Sequence, residues 1–282
     1  METGEVRASE PPPRGACDCH AHVYGPPERY PLRPGGRYTP PAMYLAEYQR
    51  MLARLGIDHA VIVQPTVYQD NAATADALAA SAGAWRGVAK FTAGGPPTGL
   101  PRLDRAGFRG VRVHGIGKEA ELDGIEDIAR QIAPFGWHIQ LHMEARFLQE
   151  MESRLRALPV PVVLDHFARV QPEQGPASAA MHALLRLLAG GRCWVKLSGP
   201  YLVSKLRSPY PDLVPIAKAL VTARPDHMLW GTDWPHPSHE TPLPDDTAFL
   251  ALLATWVPDR ATREMILVSN PAALYGFEIV PQ

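Results

Sequence analysis

Short strand-like runs alternate with longer helix-like stretches from Ala16 almost to the C-terminus, and this alternation restricts the chain to a parallel α/β architecture. The strand candidates are ACDCHAHV (16–23), HAVIVQP (59–65), GVAKFT (87–92), FRGVRVH (108–114), HIQLHME (138–144), PVVLDHF (161–167), CWVKLSG (193–199) and MLWGTDW (228–234). Between them, Met43–Leu55, Ala72–Ala84, Asp123–Phe135, Ala145–Ala157, Ala179–Leu188 and Leu213–Ala223 repeat apolar residues at three- and four-residue spacing, which gives a helix one buried face. The link around Pro101–Gly107 is short and carries the weakest helical pattern. Leu55-Gly56, Phe135-Gly136 and Arg224-Pro225 fall where a helix should stop before the next strand.

Eight βα units in 282 residues predict one (β/α)8 TIM-type barrel. An open doubly wound sheet is the competitor, but no Gly-x-Gly-x-x-Gly follows the first strand and no P-loop occurs. No linker or shift in composition marks a second domain, so the expected layout is a flexible, Pro-rich arm over 1–15 and a barrel domain over 16–282. With 46% hydrophobic residues and a net charge of −1, the chain can bury a large core. It lacks the basic footprint that nucleic-acid or anionic-membrane partners require. No apolar run approaches the roughly 18 residues of a membrane span. Three cysteines are too few and too odd for a disulfide framework, so a reducing compartment, the cytoplasm, is expected.

A barrel enzyme gathers its chemistry at the C-terminal ends of several strands. Those ends carry Asp18, His20 and His22, then Gln64 and Thr66, Lys90, Arg112 and His114, His142 and Glu144, Asp165 and His166, Lys196 and Ser198, and finally Thr232 and Asp233. In His20-Ala21-His22 the alternation of a strand points both imidazoles to one face, as two ligands, two donors, or two rings satisfied by backbone. The same alternation places Cys17 and Cys19 on the opposite face unless a bulge intervenes, and turns Asp165 away from His166 toward a structural role. Asp233, within Gly-Thr-Asp-Trp-Pro, reads either as an Asx turn or as a functional carboxylate. Arg112 inside a barrel mouth needs an anion, and its planar fork suits a carboxylate of the substrate; Arg109 reads as a structural ion-pair residue. His59, His138, His182, His227 and His239 fall at strand starts, in helices or in loops, and read as structural or surface groups.

The stretches CDCHAHVYGPPERYPL, DHF (165–167), KLSGPY (196–201) and LWGTDWPHP (229–237), with VIVQPTVYQDN (61–71) and SNPAALYGF (269–277), resemble the amidohydrolase superfamily of the amidohydrolase 2 type. Within it they are similar to the 2-pyrone-4,6-dicarboxylate lactonase branch, over about Ala16 to Phe277. The resemblance implies a hydrolase that opens a carboxylated lactone with water as nucleophile. Asp233 would be the general base, and His20, His22 and His166 would stabilise charge on the carbonyl oxygen. Arg112 would hold a substrate carboxylate, with Thr66, His142 and Tyr48 as further orienting contacts. Metal-free chemistry is expected; a single divalent ion such as zinc on His20, His22, His166 and Asp233 is the other possibility. The chain departs from the branch after the seventh strand, where Gly199–Ser204 holds no arginine for a second carboxylate. Lys205 and Arg207 follow at a different register, and Lys118 is the candidate on the fourth-strand loop. The partner expected is therefore a small anionic lactone, either a pyrone dicarboxylate or a related aromatic- or sugar-acid lactone. Competing functions are a metal-dependent decarboxylase of the superfamily, an aldarolactone isomerase, and a silent barrel that binds carboxylates.

Overall fold

The structure, a computed structural model, describes residues 11–34, 38, 41–90, 99–116, 122–237 and 244–279. Of the expected arm, residues 1–10 lie outside this set, as do Lys118 and His239. Eight parallel strands run in sequence order: β1 Cys17–Ala21, β2 His59–Val63, β3 Trp85–Lys90, β4 Phe108–His114, β5 His138–His142, β6 Val162–Leu164, β7 Cys193–Leu197 and β8 Met228–Trp230. The helices are α1 Leu45–Leu55, α2 Ala72–Ala80, α3 Leu100–Arg105, α4 Ile125–Ile132, α5 Leu148–Ala157, α6 Ala179–Ala189, α7 Val214–Ala223, α8 Asp246–Trp256, α9 Arg260–Glu264 and α10 Asn270–Tyr275. The eight-unit expectation holds, down to the one-and-a-half-turn α3 in the short link. Gly56 and Gly136, at φ 70° and 67°, end their helices in the left-handed conformation that glycine adopts without strain. Closure of the sheet comes just beyond β8, where Ala21 bridges Trp234, His22 N–H donates to Trp234 O at 2.7 Å and Asp233 N–H donates to His20 O at 2.8 Å.

Two apolar layers hold this barrel. Outward residues such as Ile62, Val111, Ile139, Leu164, Val195 and Trp230 pack under the helices. Inside, Cys17, Cys19, Val61, Val63, Val88, Val163, Trp194 and Leu229 fill the lower half against Tyr275 and Phe277. Arg86 ties that closing segment down by donating to Tyr275 O at 3.2 Å and Gly276 O at 2.9 Å. Above this layer the interior turns polar: Arg112 pairs in register with Gln140, and His114 with His142. His138 is also interior and buried, filling the space beside Gly110, so of its two expected readings the structural one applies.

The register of β1 slips by one residue between Asp18 and Ala21. The slip is a β-bulge, which re-aims side chains locally. Cys17 and Cys19 therefore face inward below the bulge and His20 and His22 face inward above it, whereas the sequence alternation placed cysteines and histidines on opposite faces. Asp18 is turned toward the closure, where it accepts from Thr232 N at 2.9 Å, Thr232 Oγ1 at 2.6 Å, His20 N at 3.1 Å and Tyr48 Oη at 3.0 Å. One carboxylate thus ties β1, β8 and α1 together.

Gly231 lies in this seam, and a Cβ there would come within 2.7 Å of His20 N and 2.9 Å of His20 Cβ. His20 N belongs to the β1 backbone and cannot yield. Gly231→Ala is expected to cost about 2 kcal/mol or more, lowering the thermal midpoint by several degrees; an unchanged melting curve contradicts this account of the closure.

Candidate active site

Asp165 and His166 are adjacent in sequence yet both reach the barrel mouth. Asp165 keeps the inward parity of β6. The next four residues, His166 to Arg169, have φ of 52°, 54°, 52° and 56°, a left-handed turn that swings His166 inward as well. The expectation that Asp165 points away from the site is thereby corrected. Gly199 makes room for the turn, since a Cβ on it would stand 2.6 Å from His166 Nδ1.

Asp165 is the most heavily paired group in the site. Its Oδ2 accepts from Arg112 Nε and lies 3.0 Å from Arg112 Nη2, while Oδ1 lies 3.2 Å from His20 Nδ1 and 3.8 Å from Lys196 Nζ. Burial opposes ionisation of Asp165, but His20, Arg112 and Lys196 together hold its carboxyl well below the usual range. The anion that Arg112 requires is thus supplied by the protein, and only the remaining edge of its guanidinium is left for substrate. Lys196 is fully buried and donates to Gln140 Oε1 at 2.7 Å and to His20 Nδ1 at 3.3 Å.

Asp233, at φ 61° just past β8, faces two imidazoles through one oxygen: Oδ1 lies 3.5 Å from His20 Nε2 and 3.4 Å from His22 Nε2. Its other oxygen, Oδ2, accepts from Tyr201 Oη at 2.5 Å. Burial would raise this carboxyl, yet His166, His22 and His20 hold it well below the ordinary range, so it is ionised at neutral pH. Tyr201 was not singled out in the sequence, although it ends the KLSGPY motif. His236 was also missed; it is buried at φ 60°, its Nε2 lies 3.0 Å from Asp246 Oδ1, and its ring packs on Tyr201 with centroids 5.7 Å apart. Nothing in strand parity could point to either, because both sit in loops.

The other expected residues separate into two groups. His142 comes to the site, its ring edge-on to His166 at 5.2 Å and to His114 at 4.9 Å, with neither buried nitrogen partnered. His166 Nδ1 lies 3.0 Å from Ser198 Oγ. Thr66 is at the rim, where its carbonyl accepts from Lys90 Nζ at 3.4 Å. Tyr48, by contrast, is fully buried on α1 between Trp85 and Trp234 with its hydroxyl committed to Asp18, so its expected contact with substrate is corrected to a structural one.

His20, His22 and Asp233 place ligand atoms within 4.8 Å of one another, as do His20, Asp165 and His166, so the site holds groups of the kind that bind a metal. His20 Nδ1 lies 3.3 Å from the Lys196 ammonium, a donor, and 3.2 Å from Asp165 Oδ1, an acceptor, so neither contact alone places its ring hydrogen. His22 Nδ1 lies 2.8 Å from the Val63 carbonyl and carries the hydrogen there, which leaves Nε2 with a lone pair. The distances suit an ion, but Lys196 and Arg112 already stand against the Asp165 carboxylate.

Polar side chains converging from several strand ends of a (β/α)8 barrel on a buried, ionised carboxylate flanked by imidazoles define a barrel enzyme of the hydrolytic kind. Residues 17–277 match the amidohydrolase family, and the chain belongs to it. It is 37% identical to a 4-sulfomuconolactone hydrolase of Rhizobium radiobacter, over 94% of this chain and 91% of that protein. It is 34% identical to a 2-pyrone-4,6-dicarboxylate hydrolase of Comamonas testosteroni (95% and 92% covered) and 32% identical to a D-galactarolactone isomerase of Agrobacterium fabrum (93% and 91%). A probable 2-pyrone-4,6-dicarboxylic acid hydrolase from Acinetobacter baumannii, solved with citric acid bound, superposes with a TM-score of 0.81 at 25% identity, covering 93% of this chain and all of that one. Among the described residues no helix is long and apolar enough to cross a membrane.

The buried imidazoles make the fold acid-sensitive. Burial pushes His166 from 6.5 down to about 4 and His138 down to about 3, so both are neutral in the folded chain. The unfolded chain binds those protons below about pH 6.5, and stability is lost as pH falls from there toward 4, by about 3 kcal/mol for His166 alone. Asp18, raised by burial to about 6, acts in the opposite sense and gains stability as pH falls through 6, but two histidines outweigh it. Denaturant melts at pH 7.5 and 5 should show the loss; equal midpoints contradict it.

Proposed function

We propose that the protein hydrolyses a carboxylated lactone, with Asp233 activating water. The observation that carries this reading is one buried, ionised carboxylate oxygen, Asp233 Oδ1, faced by two imidazole nitrogens. His22 Nε2 bears a lone pair and stands 3.4 Å from Asp233 Oδ1, so the two acceptors suit the two hydrogens of one water molecule. A water held this way turns its own lone pair outward to a carbonyl carbon. His22, expected as a donor to the carbonyl oxygen, is thereby reassigned to the water.

In the reaction the water oxygen bonds to the lactone carbonyl carbon as Asp233 takes one proton. Negative charge collects on the carbonyl oxygen, where His20 Nε2–H and His166 Nε2–H donate; each such donor contributes about 3 kcal/mol. The ring C–O bond then breaks, and Asp233 returns its proton to the leaving oxygen, so one water is consumed and a hydroxy acid is released. Tyr201 holds Oδ2 and keeps Oδ1 toward the water, while the free edge of Arg112, the unpartnered nitrogens of His142 and Thr66 orient the ring and its acid group. The curated lactone hydrolases at 34–37% identity support the substrate class.

We read the chemistry as metal-free, because Lys196 and Arg112 already neutralise the Asp165 carboxylate that an ion would share with His20 and His166. Activity should survive chelation. Stoichiometric zinc with activity lost to EDTA overturns that part and favours the decarboxylase. An Asp233→Asn protein should fold and lose at least about a thousandfold in kcat; retained activity sinks the mechanism. Tyr201→Phe should lower kcat about tenfold with a smaller change in KM, as expected for a group that aims the base. Labelled water separates hydrolysis from the isomerisation named for one relative: hydrolysis places one solvent oxygen in the product, and isomerisation places none.

A further inference from the structure

The contacts of His236 run to Asp233 by two routes. Along the chain, its N–H donates to the Asp233 carbonyl at 2.7 Å and closes the turn from Asp233 to His236, with φ of 61° at the first residue and 60° at the last. Across the fold, its ring packs edge-on against Tyr201 with centroids 5.7 Å apart, and Tyr201 Oη donates to Asp233 Oδ2. Helix α8 fixes the imidazole itself. Nε2 lies 3.0 Å from Asp246 Oδ1, a carboxylate oxygen to which it donates. Phe249, three residues further along α8 and so on the same helix face, stacks on Tyr201 at 6.2 Å and meets the His236 ring edge-on at 5.3 Å.

His236 and Asp246 are both buried, and Asp246 opens α8, where a helix N-terminus favours a carboxylate. A buried polar pair adds little stability over two apolar side chains of the same size. Its directed hydrogen bond does something packing cannot, which is to hold the ring in one orientation. Between Tyr201 and Phe249 an apolar ring at position 236 would serve packing as well. We propose that His236 and Asp246 are positioning residues for the base. The hydrogen bond between them orients the imidazole, the imidazole holds the Tyr201 ring, and Tyr201 keeps Asp233 Oδ1 toward the water. Neither residue exchanges a proton with substrate. The role rests on the lactone reading above, which makes Asp233 the base, and it extends the working parts of the site to the first turn of α8.

Removing the pair whole tests this. His236→Phe combined with Asp246→Leu replaces both partners by apolar groups of similar size and strands no polar atom. Its thermal midpoint should stay within roughly a few degrees of the wild type. On 2-pyrone-4,6-dicarboxylate or 4-sulfomuconolactone, the lactones named for two relatives, kcat should fall about tenfold with KM changed by less than about twofold. Asp246→Asn, which keeps an oxygen for Nε2–H, should retain most of kcat, and His236→Gln, which keeps an N–H for Asp246, part of it. Adding Tyr201→Phe to the paired replacement should cost little more than either change alone, because both act through one contact. Full kcat in the paired replacement, or losses that multiply with Tyr201→Phe, overturns the proposal; should the pair of changes prevent folding, His236→Phe alone is judged by the same outcomes. Crystal structures separate the positioning from catalysis. Tyr201 Oη should leave Asp233 Oδ2 in the paired replacement and stay with it in Asp246→Asn, and a contact kept in the paired replacement overturns the proposal. A wild type that opens no lactone while this contact responds as expected sinks the function and leaves the positioning standing.

Discussion

The Asp165 carboxylate is the group on which the rest of the interior depends. A barrel of this size is ordinarily filled with branched apolar side chains. Here the lower half follows that pattern and the upper half contains Arg112, Lys196, Gln140 and His20 around one buried anion. Removing a single member would leave an uncompensated charge, which costs more than the assembled cluster contributes. The arrangement gains little stability and much definition. It places His20 Nδ1 between the Lys196 ammonium and the Asp165 carboxylate, and so leaves Nε2 facing Asp233.

Much of the architecture was legible because it rests on periodicity. Eight strands, their order and the inward-facing ends followed from alternation, and the glycines at the helix ends marked the stops. Asp233, His20, His22, His166 and His142 were legible for the same reason, since strand ends in a barrel share one mouth. What alternation cannot show is where it is broken. The bulge in β1 put Cys17 and Cys19 on the same side as the histidines, and the left-handed turn after Asp165 brought two successive residues into one site. Tyr48 failed for a different reason: a helix residue can face the barrel and still spend its hydroxyl on a strand carboxylate, here Asp18.

Arg112 shows how chemical reasoning from sequence can be right about need and wrong about supply. An interior guanidinium does require an anion, and the fold provides one in Asp165, 53 residues away in the chain. Pairing of that kind is invisible to any local pattern. The same limit hid the contact between Tyr201 and Asp233, 2.5 Å apart in the segments that follow the paired strands β7 and β8.

The breaks in regular structure concentrate at the site. Of the eight non-glycine residues with positive φ among those described, six, His166 to Arg169, Asp233 and His236, lie beyond the C-terminal ends of β6 and β8; Ala82 and Tyr210 are the other two. Each such residue is unfavourable by about 1 kcal/mol or more and persists only where its surroundings impose it. Burial of Phe167 and Ala168 imposes the first turn, and the contacts of Asp233 N with His20 O and of His236 with Asp246 impose the second. Regular strands would have pointed Asp165 and His166 to opposite faces and left Asp233 in line with Gly231. The strain is therefore the means by which a parallel sheet presents adjacent residues to one substrate, and the hydrophobic layers below and around it supply the stability that this geometry consumes.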